Sequence, residues 1–253
     1  MFDLIDECGK DLSEYGYNVT PLGQYDIVTA SLSVSDDQTA EKLGFEKGDY
    51  FILNAPRFYE NGAECSIKII QILSDKMHEF IKAHSLRRKD RVLFACLGNP
   101  DIAADSLGKE VFDNISIDAL SKKNNIFKFC PNIYYSTGIE TIDMVEMVIK
   151  CMSINYCIII DSLTTSSISR LGNSFQITTS GMTPGSGVTR FNRPINQKTM
   201  GVPCFSVGVP FMIFAEDLDK SSPPDLILSP KDIGENISHA GMIIARALNE
   251  AIK

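Results

Sequence analysis

Three stretches of the chain are apolar almost without a break: RVLFACLG at 91–98, YCIIID at 156–161 and VPCFSVGVP at 202–210. A strand with one face in water alternates apolar and polar residues, so unbroken runs of this kind fit strands covered on both faces. Helical spacing fills the segments between them. TIDMVEMVIKCM (141–152) turns Ile142, Val145, Val148, Ile149 and Met152 inward, and ADSLGKEVFDNI (104–115) opens another helix. Buried strands alternating with amphipathic helices specify an α/β fold: a three-layer, mainly parallel or mixed sheet with helices on both faces.

The front of the chain has a different texture. YDIVTASLSV (25–34) alternates, with Val28, Ala30, Leu32 and Val34 on one side, and reads as a half-buried strand. A short helix follows in SDDQTAEKLG, with Ser35 as N-cap and Gly44 at its end. DYFILNAP (49–56) is a strand stopped by Pro56, and Ile67, Ile70, Ile72, Leu73, Met77, Phe80 and Ile81 mark a long helix over 64–84. Residues 1–88 are therefore expected to form an added strand–helix subregion within a single domain of 1–253. Further on, FQITT (175–179) is a shorter strand, and Ser229, Pro230 and Asp232 form a cap signal for a last helix reaching about Ile252.

Charge and cysteine usage narrow the function classes. A net charge of −8 is the wrong sign for a nucleic-acid binder, and the short run LRRKD (86–90) reads as a solvated helix end. The seven cysteines are scattered, several within apolar runs, and none forms a CxxC pair, which fits reduced thiols in a cytoplasmic protein. The start MFDLIDECGK lacks the basic and apolar regions of a signal peptide, and no apolar run has the length of a membrane span. HEFIKAH (78–84) places its histidines six apart, roughly 240° around a helix, so they cannot share a metal on one face.

In open α/β sheets ligands bind beyond the carboxyl ends of the strands. Asp161 ends one apolar run, and GNPDIAADSLG, which follows another, carries Asp101 and Asp105. Each of these acids reads equally as a helix cap or turn residue, and composition and periodicity do not separate the alternatives. TPGSGV (183–188) offers an anion nest or a structural turn.

The motifs in these stretches, taken together, resemble the germination proteases of spore-forming bacteria, endopeptidases that degrade small acid-soluble spore proteins as a spore germinates. The family stretch GNxxxxPDALGP is matched by GNPDIAADSLGK (98–109), TGIET by residues 137–141, and a strand ending IDAL by IIDSL (159–163). The family's TIQI strand, GIxPGSGVGNxR loop and GVPVIAIGVPT strand are similar to FQIT, GMTPGSGVTR (181–190) and GVPCFSVGVP (201–210). Four positions depart: Pro100, Ala104, Thr179 and Thr183 stand where the family has Trp, Pro, Asp and His. The family has a short propeptide ahead of an RTDLA-like sequence, whereas FDLID begins at residue 2; either there is no propeptide or activation works differently, so self-processing is not carried over.

The resemblance implies a phosphorylase/hydrolase-like fold, shared with the hydrogenase maturation endopeptidases. It places the two catalytic aspartates on Asp105 and Asp161. Asn99, Glu140 and Arg170 are supporting or substrate-binding candidates, and the backbone N–H groups of Gly185, Ser186 and Gly187 are candidates for holding an oxyanion. Arg170 reads as well as half of a structural ion pair. Two facing carboxylates share one proton, and the pair would activate water for peptide hydrolysis without cofactor or metal. The expected partners are small acid-soluble spore proteins and, by resemblance, three further copies in a tetramer, all within the spore core. A non-catalytic binder of protease ancestry and a metal-assisted endopeptidase stay open as alternatives.

Overall fold

The computed structural model describes residues 4–84, 87, 89–117, 125–184 and 193–252. Among them, nine strands form one mixed sheet: β1 (Asn18–Pro21), β2 (Val28–Val34), β3 (Gly48–Asn54), β4 (Arg91–Cys96), β5 (Asn125–Phe129), β6 (Tyr156–Thr165), β7 (Ser174–Thr178), β8 (Cys204–Phe214) and β9 (Ile227–Leu228). The order across the sheet is β1-β2-β3-β7-β8-β6-β4-β5, with β9 paired to the far end of β8. Strands β5, β4, β6 and β8 are parallel, whereas β7, β3, β2 and β1 continue the sheet antiparallel. The division follows the sequence texture: unbroken apolar runs form the doubly covered parallel part, and the alternating strand lies in the antiparallel part.

Five longer helices flank the sheet: α1 (Asp37–Leu43), α2 (Gly62–Ala83), α3 (Leu107–Asn114), α4 (Thr141–Cys151) and α5 (Ile233–Ala251). On one face Val92, Phe94, Ile158, Ile160, Phe205 and Val207 pack beneath α2, α3 and α5. On the other, Leu93, Ala95, Cys157 and Ile159 meet Ile142, Val145 and Ile149 of α4. A third cluster joins Leu32, Val34, Tyr50 and Ile52 to Leu43 and to Ile5 and Leu12 of the N-terminal segment.

Several boundaries differ from the sequence expectations, for local reasons. Asp36, not Ser35, caps α1: its carboxylate accepts the Thr39 N–H at 2.8 Å, because β2 runs to Val34 and leaves Ser35 as the link. Ile67 is exposed, since Cys65 and Ile69 hold the inward stripe of α2. Pro210 does not end β8; the strand runs on to Phe214, and the ladder with β6 shifts register between Leu163 and Thr164. A proline lacks the ladder donor, and a bulge beside it restores pairing. Helix α5 starts at Ile233 rather than near Ser229, because Ile227 and Leu228 are still in the sheet and the chain needs 229–231 to turn. Leu86 and Arg88 lie outside the described residues, and with them the helix-end reading of LRRKD. All seven cysteines are free; Cys65, Cys96, Cys157 and Cys204 are buried, while Cys151 is exposed. Among the described residues no helix is long and apolar enough to cross a membrane.

Candidate active site

Strand β4 pairs with β6 only as far as Cys96 and Ile160, whereas β6 continues to Thr165. One last bond joins them, from the Leu97 N–H to the Ile160 carbonyl at 2.7 Å. The chain then turns away at Gly98, whose φ of 104° lies where side chains are strained; a Cβ there would come within 2.1 Å of the Asp105 carbonyl oxygen. Glycine thus permits the loop 98–105 to fold back on itself. The Asn99 N–H donates to Asp105 Oδ2 at 2.8 Å, and Asn99 Oδ1 accepts the Asp101 N–H at 3.0 Å. Helix α3 leaves directly after Asp105, drawn against the strand end at Gly108, where a Cβ would meet the Leu97 carbonyl oxygen at 2.0 Å.

Asp161 is delivered to the same place by a different route. In a parallel ladder the N–H and C=O of alternate residues point to the same neighbour. The Ile160 carbonyl faces β4, so the Ser162 N–H faces the space that β4 has left. Asp161 Oδ1 accepts that N–H at 2.9 Å, which turns the carboxylate toward the edge of β6 on the side of the 98–105 loop. Neither acid acts as a helix cap. Asp161 lies within a strand, and Asp105 is turned to Asn99 while Ser106 occupies the N-cap of α3, its hydroxyl donating back to the Ala103 carbonyl and making no capping bond.

Asp161 is only 5% exposed. Burial pushes the Asp105 carboxyl up from the usual 3.8 to about 6, against the opposing pull of the Asn99 N–H. Both acids line a cleft of about 900 Å³. Its floor is polar, because alternate residues of the central strands change character here. Gln176, Thr178 and Ser206 are buried polar groups on the face that Cys157 and Ile159 occupy deeper in the sheet. Ser206 Oγ donates to the Gly181 carbonyl at 3.1 Å, and Gln176 Oε1 accepts the Ile5 N–H at 3.1 Å. The rim is apolar, with Ile102, Tyr134 and Tyr135 exposed along it. These floor and rim residues went unseen in the sequence; the signal available was the alternation of Gln176 and Thr178 in FQITT and the single Ser206 inside CFSVG.

The other candidates separate. Asn99 lines the cleft, as does Glu140, an exposed side chain at the N-cap of α4 that makes no capping bond. Arg170 is not among the lining residues. It pairs with Asp6, whose carboxylate also receives the Tyr17 hydroxyl at 3.4 Å, in a separate smaller cavity. Burial and the Asp6 charge push the Tyr17 hydroxyl up to about 12. Gly185, Ser186 and Gly187 lie outside the described residues, so the proposed oxyanion nest does too. Of the departures, Thr183 lines the cleft, whereas the Thr179 hydroxyl accepts the Asp49 N–H at 2.9 Å beyond it. Among the described residues no group of three or more His, Cys, Asp or Glu could hold a metal ion.

Comparison with known proteins places this chain in a lineage. A family model described as germination protease matches residues 13–222. The germination protease of Caldanaerobacter subterraneus subsp. tengcongensis is 24% identical, over 98% of this chain and 91% of that protein. That of Clostridium acetobutylicum is 29% identical over 75% of this chain, and that of Geobacillus sp. 27% over 71%. The chain spans 61% and 51% of those two relatives. Among solved structures, a NiFe hydrogenase maturation protease from Thermococcus kodakarensis overlays on 64% of this chain and 92% of its own, at 14% identity and a TM-score of 0.39. With a family match that runs from ahead of β1 to beyond β8 and takes in both Asp105 and Asp161, this chain belongs to the germination protease family.

Proposed function

We propose that the chain is an aspartic-type endopeptidase that hydrolyses small acid-soluble spore proteins in the germinating spore core, assembled as a homotetramer. One observation carries the chemistry: two carboxylates from different strand ends line one cleft, and one of them holds its proton up to a pH of about 6. Asp161, ionised, takes a proton from a water whose oxygen attacks the scissile carbonyl carbon. Asp105, protonated, gives its proton to the carbonyl oxygen. On collapse the C–N bond breaks, the amine leaves with the proton held by Asp161, and Asp105 recovers its own from the gem-diol. Asn99 keeps Asp105 in place through its N–H, and the apolar rim with its polar floor suits an extended peptide of mixed character.

The test is incubation of the purified chain with a small acid-soluble spore protein, read by mass spectrometry. Internal fragments that appear equally with and without a chelator are expected. An intact substrate that nevertheless co-purifies with the chain would point to a binding protein instead. Cleavage that a chelator abolishes and a divalent ion restores would contradict water activation by carboxylates alone.

A further inference from the structure

The side-chain amide of Asn99 has one end committed and the other open. Its Oδ1 accepts the Asp101 N–H at 3.0 Å, and since only an oxygen can take that donor, the orientation of the amide is fixed. Among the described residues Nδ2 donates to nothing, and unlike Tyr156 Oη or Asn236 Oδ1 it is not sealed from solvent. Asn99 is only 8% exposed and lines the cleft, so the opening left to it gives onto the space shared by Asp105 and Asp161. Buried amide donors are nearly always matched, which points to a partner that arrives with the substrate. The neighbouring bond says where that partner sits. The Asn99 backbone N–H holds Asp105 Oδ2 at 2.8 Å, which leaves Oδ1 to carry the acid proton. One residue thus supplies a donor of its own and orients a second beside it.

We propose that Asn99 is a third catalytic residue, whose Nδ2–H donates a hydrogen bond to the scissile carbonyl oxygen. This rests on the peptidase reading above. A carbonyl oxygen has two lone pairs: Asp105 delivers its proton along one, and Asn99 Nδ2 takes the other. The bond polarises the carbonyl before attack and strengthens as charge develops on the oxygen, so it stabilises the transition state more than the bound substrate. Asn99 itself transfers no proton in the step.

The experiment compares wild type with Asn99→Ala and Asn99→Ser on a small acid-soluble spore protein, with folding checked by circular dichroism. The backbone N–H that holds Asp105 survives both changes. Asn99→Ser also keeps an uncharged oxygen for the Asp101 N–H, and its hydroxyl is too short to replace the lost donor. A fall in kcat of about 100- to 1,000-fold with KM within about threefold is expected in both. The alkaline limb of the pH profile should stay where it is, because Asp105 keeps its partner. A folded variant of either kind with kcat within about threefold of wild type overturns the proposal. So does a displaced alkaline limb, which would mean that Asn99 acts through Asp105 and not on the substrate. Should Asn99→Ala not fold, Asn99→Ser decides alone. A wild type that cleaves no spore protein overturns the proposal as well, and is told apart because the failure is then in the unsubstituted chain.

Discussion

The Asp105 carboxyl, with its affinity for protons raised by burial to about 6, is a group the fold holds at a cost. Between pH 4 and pH 6 the native state keeps a proton there that the unfolded chain has released. Stability from this group is therefore greatest at acid pH and is lost as pH rises through about 6. Asp105→Asn removes the cost and can still accept the Asn99 N–H. Chemical denaturation at pH 7.5 should find the variant more stable by roughly 1–2 kcal/mol, after discounting for partial exposure, with little difference near pH 4. A variant less stable at both pH values would mean that Asp105 is a structural acceptor and not a strained functional group. The same titration implies that cleavage falls above pH 6, where Asp105 loses the proton it would give to the carbonyl oxygen.

At the scale of elements, the site depends on unequal strand lengths: β4 stops at Cys96, β6 runs five residues past Ile160, and the difference makes the cleft wall. The core strands were legible because RVLFAC and YCIII are apolar throughout. The extent of β8 was not, because Pro210 reads locally as a stop and only the bulge against Leu163 shows how it is absorbed. The polar floor was hidden for a related reason, since one serine or glutamine inside an apolar run carries no label of which face it takes. Arg170 shows the limit of local reading most plainly. Its partner Asp6 is 164 residues away, in an N-terminal segment whose Glu7 also accepts the Ser166 N–H at 2.7 Å. Arg170→Ala would leave Asp6, with its side chain 7% exposed, as a buried unpaired charge. We expect about 2–4 kcal/mol of lost stability by denaturant titration and kcat within about twofold of wild type. A large fall in kcat at full stability would return Arg170 to the site.

At the scale of the whole molecule, the two textures of the sequence, alternating in front and continuously apolar behind, meet in one sheet through the pairing of β3 with β7. The N-terminal strands therefore continue the layer that carries Asp161 and share its floor residues Gln176 and Thr178, which pair with Ile52 and Tyr50. The central claim is that this sheet presents Asp105 and Asp161 as one water-activating pair. The most direct measurement is the rate at which Asp161→Asn cleaves a small acid-soluble spore protein, with its folding checked by circular dichroism and thermal melting. A fall of about a thousandfold or more, with the melting temperature of the wild type retained, is predicted. A folded variant that cleaves within about tenfold of wild type would contradict the account.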